Sequence, residues 1–411
     1  MSILDSVAEK AVRAQLEALK YGRLTVIDGD QTSVHGATQG LDATVTVLDQ
    51  NFYRAVAFGG HVGAAEAYAD GAWTTPDLTA IIRLFVRNRD VLDGMETGLA
   101  RLIQPIRQFL HARNRNTESG SRRNIHAHYD LGNEFFQEFL DETMTYSAGI
   151  FDQPGSSLKD ASLAKYDRLC RKLDIGPDDH VVEIGTGWGG FALHAAGTYG
   201  CRVTTTTISR EQHALANKRL REAGLADRVT VLLEDYRKLT GTFDKLVSIE
   251  MIEAVGHHYF QAYFKQCANL LAPNGLAAIQ AITIQDRFYE SARREVDFIK
   301  HYIFPGSCIP SISTLSGAAS PTDLRLVHLE DLTPHYAETL RRWRAGFLDR
   351  WDRIESQGFD EQFKRIWEFY FCYCEGGFDE AVLGSIQFLF AKPEAEIPSL
   401  ADLPPLRRQI A

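Results

Sequence analysis

Long apolar runs are absent from the sequence, which has no stretch of about 18 consecutive apolar residues that could span a membrane. Positive charge is also in short supply: 44 Lys and Arg face 54 Asp and Glu, and the net charge of -10 argues against a nucleic-acid-binding protein. The first 22 residues are amphipathic and charged, unlike a secretory signal peptide. We therefore expect any membrane contact to be peripheral.

Cysteine is scarce, and its spacing argues against a metal site built on thiolates. The six cysteines are scattered between Cys170 and Cys374, and no two have metal-ligand spacing. Cys372 and Cys374 are too close for an easy disulfide. We predict that no metal is bound and that the protein works in the reducing cytoplasm, peripheral to the inner membrane.

Composition and pattern predict a small domain, a linker and a larger domain. Residues 1–100 combine helical patterns with short alternating stretches, which predicts a small α+β domain that docks on lipid; one stretch interpreted as a strand is RAVAFGG at 54–60. Residues 101–123 carry six arginines and one acid, Glu118, among Gly, Ser and Asn, which is typical of a linker. Alternatively, these arginines attract anionic lipid headgroups.

Residues 124–411 alternate strand and helix patterns, from HVVEIGTG at 180–187 to SIQFLFAKP at 385–393. The alternation predicts an α/β fold, a Rossmann-like parallel sheet with helices on both faces. An aromatic stretch at 285–313 interrupts this rhythm and predicts a helical cap over a site. The motif YCEGGF at 373–378 is interpreted as a glycine turn closing the cap, with Glu375 paired to an arginine.

The stretch VVEIGTGWGG places Gly185, Gly187 and Gly189 between a strand and a helix, with Glu183 inside the strand. Glycines let the backbone approach a ligand closely, and the helix N-terminus points toward it. Dinucleotide-binding turns usually read GxGxxG and are followed by an acid about 20 residues later. Here the next strand ends in TTTTIS, without an acid. The pattern therefore indicates S-adenosylmethionine (SAM) rather than NAD, with Glu183 near the amino-acid end of the ligand.

The next two strand ends are expected at the same site because ligands bind at the carboxyl ends of parallel strands. Gln212 could bond a ribose hydroxyl, and it could also complete a helix cap begun by Ser209. The end of the third strand is placed to meet the adenine; the alternative is an exposed turn. The predicted contacts at these ends are Thr207, Ile208, Gln212, Glu234, Asp235 and Tyr236.

Several stretches resemble, in order, the cyclopropane fatty acid synthase family of SAM-dependent methyltransferases. They include HYDLGNEFFQEFLDETMTYS, IEMIEAVG, FIKHYIFPG and YCEGGF, and they span about 125–395. The resemblance implies a class I SAM methyltransferase that transfers a methylene group to a cis double bond of a phospholipid acyl chain, giving a cyclopropane. The six aromatic residues of the stretch 127–151 would then cover the cofactor and keep water from a carbocation.

The resemblance also assigns roles to single residues. Tyr129, Tyr146 and Ser147 match family positions that touch the cofactor. In the family a bicarbonate ion is the base, and the matching positions that would hold it are Glu253, Tyr336, Ile282, Ala148 and Gln280. The family has cysteine where this chain has Ala148 and histidine where it has Gln280.

These two departures leave the base and the product open. Gln280 can donate a hydrogen bond to an anion, but it cannot carry a proton at neutral pH as histidine can. Bicarbonate could still be held here, or Glu253 or a water could take the proton. Loss of a different proton would give a methylene- or methyl-branched chain instead of a ring. A small-molecule methyltransferase and a non-catalytic lipid-binding protein remain rival interpretations, and a homodimer is also open.

Overall fold

The computed structural model describes residues 3–37, 39–91 and 131–407, and these residues form two compact units. The first unit holds 3–37, 39–91, Arg294–Pro305 and Trp343–Val382; the second holds 131–293, Gly306–Arg342 and 383–407. The predicted boundaries at 100 and 124 follow the sequence linearly, whereas two later segments belong to the first unit. The predicted linker at 101–123 lies outside the described residues.

The first unit is built on a small mixed sheet. Its N-terminal elements are α1 (Ile3–Leu16), β1 (Arg23–Asp28), β2 (Gln31–Gly36), β3 (Asp42–Val47), α2 (Asn51–Ala69), β4 (Trp73–Thr74) and α3 (Leu78–Arg87). The strand order is β2-β1-β3-β4, and β1 pairs antiparallel with β2 and parallel with β3. The strand predicted for RAVAFGG is wrong, because 54–60 lies within α2. Short apolar runs do not distinguish a strand from a buried helix.

The remaining α-helices and β-strands of the described residues are α4 (Asn133–Gln137), α5 (Leu158–Lys172), β5 (His180–Ile184), α6 (Gly190–His194), β6 (Arg202–Thr207), α7 (Arg210–Glu222), β7 (Val229–Leu233), β8 (Phe243–Ile249), α8 (Phe260–Leu270), β9 (Leu271–Ile284), α9 (Asp286–Ala292), α10 (Ile312–Ala319), β10 (Arg325–Asp331), α11 (Thr333–Asp349), α12 (Trp351–Ser356), α13 (Glu361–Asp379) and β11 (Leu383–Ala391).

The second unit is built on the predicted α/β sheet. Seven strands lie in the order β10-β11-β9-β8-β5-β6-β7. Strands β5 to β9 run parallel, and β11 is antiparallel to both of its neighbours. Buried aliphatic side chains such as Val181, Val203 and Leu276 form the core between the sheet and its helices. From β5 the chain adds β6 and β7 on one side and then β8 and β9 on the other, so the order of strands reverses at β5. Such a reversal places a ligand crevice at the carboxyl end of that strand.

The motif YCEGGF is helical, so the predicted glycine turn is wrong. It lies inside α13, and a Cβ at Gly376 would come within 2.7 Å of Ile82 Cγ2 on α3. The glycine therefore permits close packing of two helices in the first unit. The predicted ion pair is confirmed, because Glu375 Oε2 lies 3.1 Å from Arg344 Nη2.

Two negative findings apply to residues 3–37, 39–91 and 131–407. No helix there is both long and apolar enough to cross a membrane. No group of three or more His, Cys, Asp or Glu side chains there could hold a metal ion.

Candidate active site

The glycine turn after β5 forms an open cradle at the sheet reversal. Gly185, Gly187 and Gly189 have φ angles of 98°, 51° and 85°. Residues that carry a side chain rarely adopt positive φ angles. Apart from residues 186–188 themselves, no protein atom lies within 4 Å of the position that a Cβ would take at Gly187. At Gly185 a Cβ would meet Met251 Cγ at 3.1 Å, so the turn lies directly against the segment that follows β8.

The acid of this turn, Glu183, is buried at the end of β5, with 2% of its surface exposed. Its Oε2 accepts a hydrogen bond from Thr205 Oγ1 at 2.6 Å. Burial raises the pKa of Glu183 to about 8, although Thr205 and the Lys165 ammonium oppose the shift. The neighbouring Thr186 Oγ1 is buried without a hydrogen-bond partner. A buried, unpaired hydroxyl beside an open glycine cradle fits a polar ligand such as the amino-acid end of SAM.

The ends of β6 and β7 lie beside this cradle, and several of their predicted ligand contacts already have partners. Gln212 Oε1 accepts from Thr207 Oγ1 at 2.8 Å, and Gln212 N donates to Ser209 Oγ, so Ser209 caps α7. Asp235 pairs with Arg237 at 2.5 Å. Ile208 and Glu234 are half-buried, and Tyr236, also half-buried, packs 5.5 Å from Tyr263 between ring centroids.

One aromatic side chain of α4, Phe136, contacts the glycine turn. The ring of Phe136 lies 5.0 Å from Trp188, which stands between Gly187 and Gly189, and 5.4 Å from Tyr146. Trp188 Nε1 donates to Asn133 Oδ1 at 2.6 Å and anchors the turn to α4. The predicted contact Tyr129 lies outside the described residues.

Glu250, at the end of β8, is the residue on which three predicted site groups converge. Tyr336 Oη donates to Glu250 Oε2 at 2.7 Å, and Gln280 Nε2 donates to Oε1 at 2.8 Å. The backbone N–H of Ala148 donates to Oε1 at 3.0 Å. Residue 250 has a φ of 48°, a left-handed conformation that costs a residue with a side chain about 1–2 kcal/mol. Sequence reasoning missed Glu250; the signal was a second acid three residues before Glu253.

Glu253 lies next to this cluster but has different partners. Its Oε1 accepts from the backbone N–H of Ile282 at 2.5 Å, and its Oε2 is buried without a hydrogen-bond partner. Burial, together with the negative charge of Glu250, raises the pKa of Glu253 to about 8. The raised pKa favours the neutral acid form of Glu253.

A fully buried lysine supplies positive charge below the site. Lys165, on α5, donates from Nζ to Ser147 Oγ at 2.5 Å, next to the Ala148 N–H that binds Glu250. Burial lowers the pKa of Lys165 to about 8, while the negative charges of Glu250, Asp141 and Glu183 oppose this shift. Sequence reasoning missed Lys165 as well, because a lysine on an amphipathic helix is normally exposed.

A directional chain of hydrogen bonds orients Gln280. Lys172 Nζ donates to Gln387 Oε1 at 2.8 Å, and Gln387 Nε2 donates to Gln280 Oε1 at 2.9 Å. An ammonium can only donate hydrogen bonds, so the side-chain oxygen of Gln387 must face Lys172. The NH₂ group of Gln387 then faces Gln280 and binds its side-chain oxygen. The amide NH₂ of Gln280 must therefore face Glu250.

Comparison with known proteins identifies the family. The family model of mycolic acid cyclopropane synthetases matches residues 116–388. The chain belongs to this family. Among its relatives, the tuberculostearic acid methyltransferase UfaA1 of Mycobacterium tuberculosis is 39% identical over 80% of this chain and 78% of its own length. The cyclopropane-fatty-acyl-phospholipid synthase of Escherichia coli K12 is 32% identical over 85% of this chain and 88% of its own length.

Solved structures of the synthetase family share the fold of about two thirds of this chain. The cyclopropane synthase MmaA2 from Mycobacterium tuberculosis matches with a TM-score of 0.63 and 29% identity, over 66% of this chain and 98% of that one. The mycolic acid cyclopropane synthase CmaA1, complexed with SAH and CTAB, matches with a TM-score of 0.61 at the same identity and coverage. This synthetase-family chain is therefore a class I SAM-dependent methyltransferase that transfers methyl or methylene carbon to lipid acyl chains.

Proposed function

We propose that the protein transfers the methyl carbon of SAM to a cis double bond in an acyl chain of a phospholipid and closes a cyclopropane ring. The observation that carries the proposal is the adjacency of three features: an open glycine cradle, an aromatic cover and buried carboxylates. Gly185 of the cradle lies against Met251, the residue that follows Glu250. Tyr146 of the cover precedes Ser147 and Ala148, which contact Lys165 and Glu250.

The protein's side chains have separate tasks in this reaction. SAM supplies an electrophilic methyl group on a positively charged sulfur. An alkene is a weak nucleophile, so holding it in line with that methyl is the main source of rate. The rings of Phe136, Tyr146 and Trp188 stabilise positive charge with their faces and exclude the water that would quench a carbocation. Ring closure then requires a proton acceptor, and the buried carboxyl group of Glu250 lies within the same cluster.

A second candidate is a product with a methyl or methylene branch and no ring. It is favoured by the relative at 39% identity, which is named a tuberculostearic acid methyltransferase rather than a cyclopropane synthase. Methyl transfer is the same in both cases, and the products differ only in which proton leaves the cation.

Lipid analysis of cells that express the protein tests both candidates. We expect the phospholipid fraction to gain acyl chains that are heavier by one methylene. When the cells are fed methionine labelled in its methyl group, the added carbon should carry the label. A ring and a branched alkene have the same mass, so an alkene-selective derivatisation must separate them: a ring leaves no double bond to react. Label confined to a water-soluble small molecule would refute the acyl substrate.

A phospholipid substrate requires contact with a bilayer, and we propose that the first unit provides it. Large apolar side chains are exposed there, including Leu4 and Val7 on α1, Tyr21, and Leu48 after β3. The six arginines of 101–123 add a positive segment to a chain of net charge -10. We infer an electrostatic and apolar dock on anionic lipid, peripheral to the inner membrane.

Vesicle sedimentation tests this dock. Binding to anionic vesicles should be strong at about 0.1 M salt and should fall at about 1 M, where the Debye length drops from about 10 Å to about 3 Å. Replacing the six arginines with glutamine should weaken binding in the same way. Neutral vesicles are the control, and binding to anionic vesicles that ignores salt would refute the electrostatic part of the dock.

A further inference from the structure

The Glu250 carboxylate accepts hydrogen bonds from groups that the family resemblance assigns to bicarbonate. Three of the five groups assigned to hold that ion donate to Glu250 instead: Tyr336 Oη, Gln280 Nε2 and the Ala148 N–H. A fourth, the N–H of Ile282, donates to the fifth, Glu253. A hydroxyl and a backbone N–H each have one proton to donate, so these donors are already used.

The hydrogen-bond donors of the site are oriented to hold an anion that is fixed in place. Lys172 forces the amide order through Gln387 to Gln280, so Gln280 presents a donor and not an acceptor. Three donors therefore converge on one carboxylate, and the Lys165 ammonium adds an attractive charge. Bicarbonate and a glutamate carboxylate present the same O–C–O edge to such donors. A free bicarbonate ion does not fit here, because Glu250 already fills this set of donors.

We propose that Glu250 is the catalytic base of this protein and that it replaces the bicarbonate ion of its relatives. The proposal rests on the proposed function. The π electrons of the alkene form the new C–C bond to the methyl carbon, and the C–S bond breaks with its electrons remaining on sulfur. A Glu250 oxygen then takes one proton from the resulting cation. The electrons of the broken C–H bond close the ring, or form a new double bond in the branched product, and the proton later passes to water.

The backbone supports this assignment independently of the hydrogen bonds. Residue 250 has a left-handed φ of 48°, which glycine would adopt without strain. A glutamate in that conformation sends its carboxylate back to Ala148, Gln280 and Tyr336. Strained residues of this kind cluster at functional sites.

Three variants and one buffer change test the proposal. In buffer freed of dissolved CO₂, the wild-type rate on unsaturated phospholipid should stay the same when bicarbonate is added. Glu250→Gln should lower turnover at least a hundredfold with SAM affinity unchanged, since a well-placed general base contributes about 10²–10⁴-fold. Glu250→Gly suits the backbone and leaves the three donors open, so added bicarbonate or formate should restore its rate at least tenfold. Glu222→Gln, on the exposed face of α7, is the matched control.

The outcomes separate this proposal from the proposed function. Wild-type activity that depends on bicarbonate, or full activity of Glu250→Gln, would overturn the role of Glu250 while leaving acyl methylation intact. An inactive Glu250→Gly that no anion restores, in protein with wild-type circular dichroism and SAM affinity, would also count against it. If no variant and no wild-type protein modifies lipid, the proposed function itself fails.

Discussion

Gly187→Asn should weaken SAM binding about a hundredfold, equivalent to about 2.8 kcal/mol, while leaving the fold intact. Asparagine tolerates the left-handed φ of 51° at this position, and no protein atom outside residues 186–188 lies within 4 Å of the new Cβ. The side chain would instead project into the cradle, where the ligand must approach the protein backbone closely. Isothermal calorimetry measures the affinity, and thermal unfolding measures the fold.

Gly155→Asn is the matched control for this substitution. Gly155 has a φ of 83° and is exposed in a turn of the second unit, and no protein atom outside residues 154–156 lies within 4 Å of its Cβ position. Its SAM affinity should equal that of the wild type. If Gly187→Asn also binds SAM normally, the ligand does not pass over the glycine turn.

Lys165→Met should reduce turnover at neutral pH about a hundredfold, because less of the proposed base, Glu250, would be ionised. A general base contributes a factor of this order to the rate. Burial raises the pKa of Glu250 above its ordinary value, and the positive charge of Lys165 opposes that shift. Without that charge the pKa of Glu250 rises, so less of it is ionised at neutral pH. The rising limb of the pH–rate profile should therefore move to higher pH, and part of the rate should return there.

The pH profile distinguishes this electrostatic role from simple loss of structure. A destabilised protein would lose rate at every pH without moving the limb. Lys218→Met removes a lysine from the exposed surface of α7 and should leave the profile unchanged. A Lys165→Met profile that superimposes on that of the wild type would show that Lys165 does not influence the base.

Most of the sheet could be predicted because its signals are local. The strand and glycine turn at 180–189 follow from apolar runs and from residues that permit positive φ. The convergence of Ala148, Gln280 and Tyr336 followed from family resemblance and could not have been derived from spacing, since 188 positions separate the first from the last. Strand β10 was not predicted, because its largely polar sequence RLVHLED carries little apolar periodicity.

The features that sequence reasoning missed depend on partners far away in the chain. Gly376 looks like a turn residue, and only the nearness of Ile82 shows why a helix needs glycine there. Glu250 looks like a second acid beside Glu253, and nothing local reveals its positive φ or its three donors. Lys165 resembles an ordinary surface lysine until burial removes water from it.

The pairing of β9 with β11 has a consequence for the tail of the chain. Gln280 and Gln387 are direct cross-strand partners in this antiparallel pair, and both are fully buried. Side chains alternate between the faces of a sheet, so a slip of one residue would turn Gln387 away from Gln280. Strand β11 acts through Gln280, because its alignment decides which way the Gln280 amide points. An insertion or deletion near residue 383 that shifted this alignment would inactivate the enzyme from a distance, while leaving every catalytic side chain in the sequence.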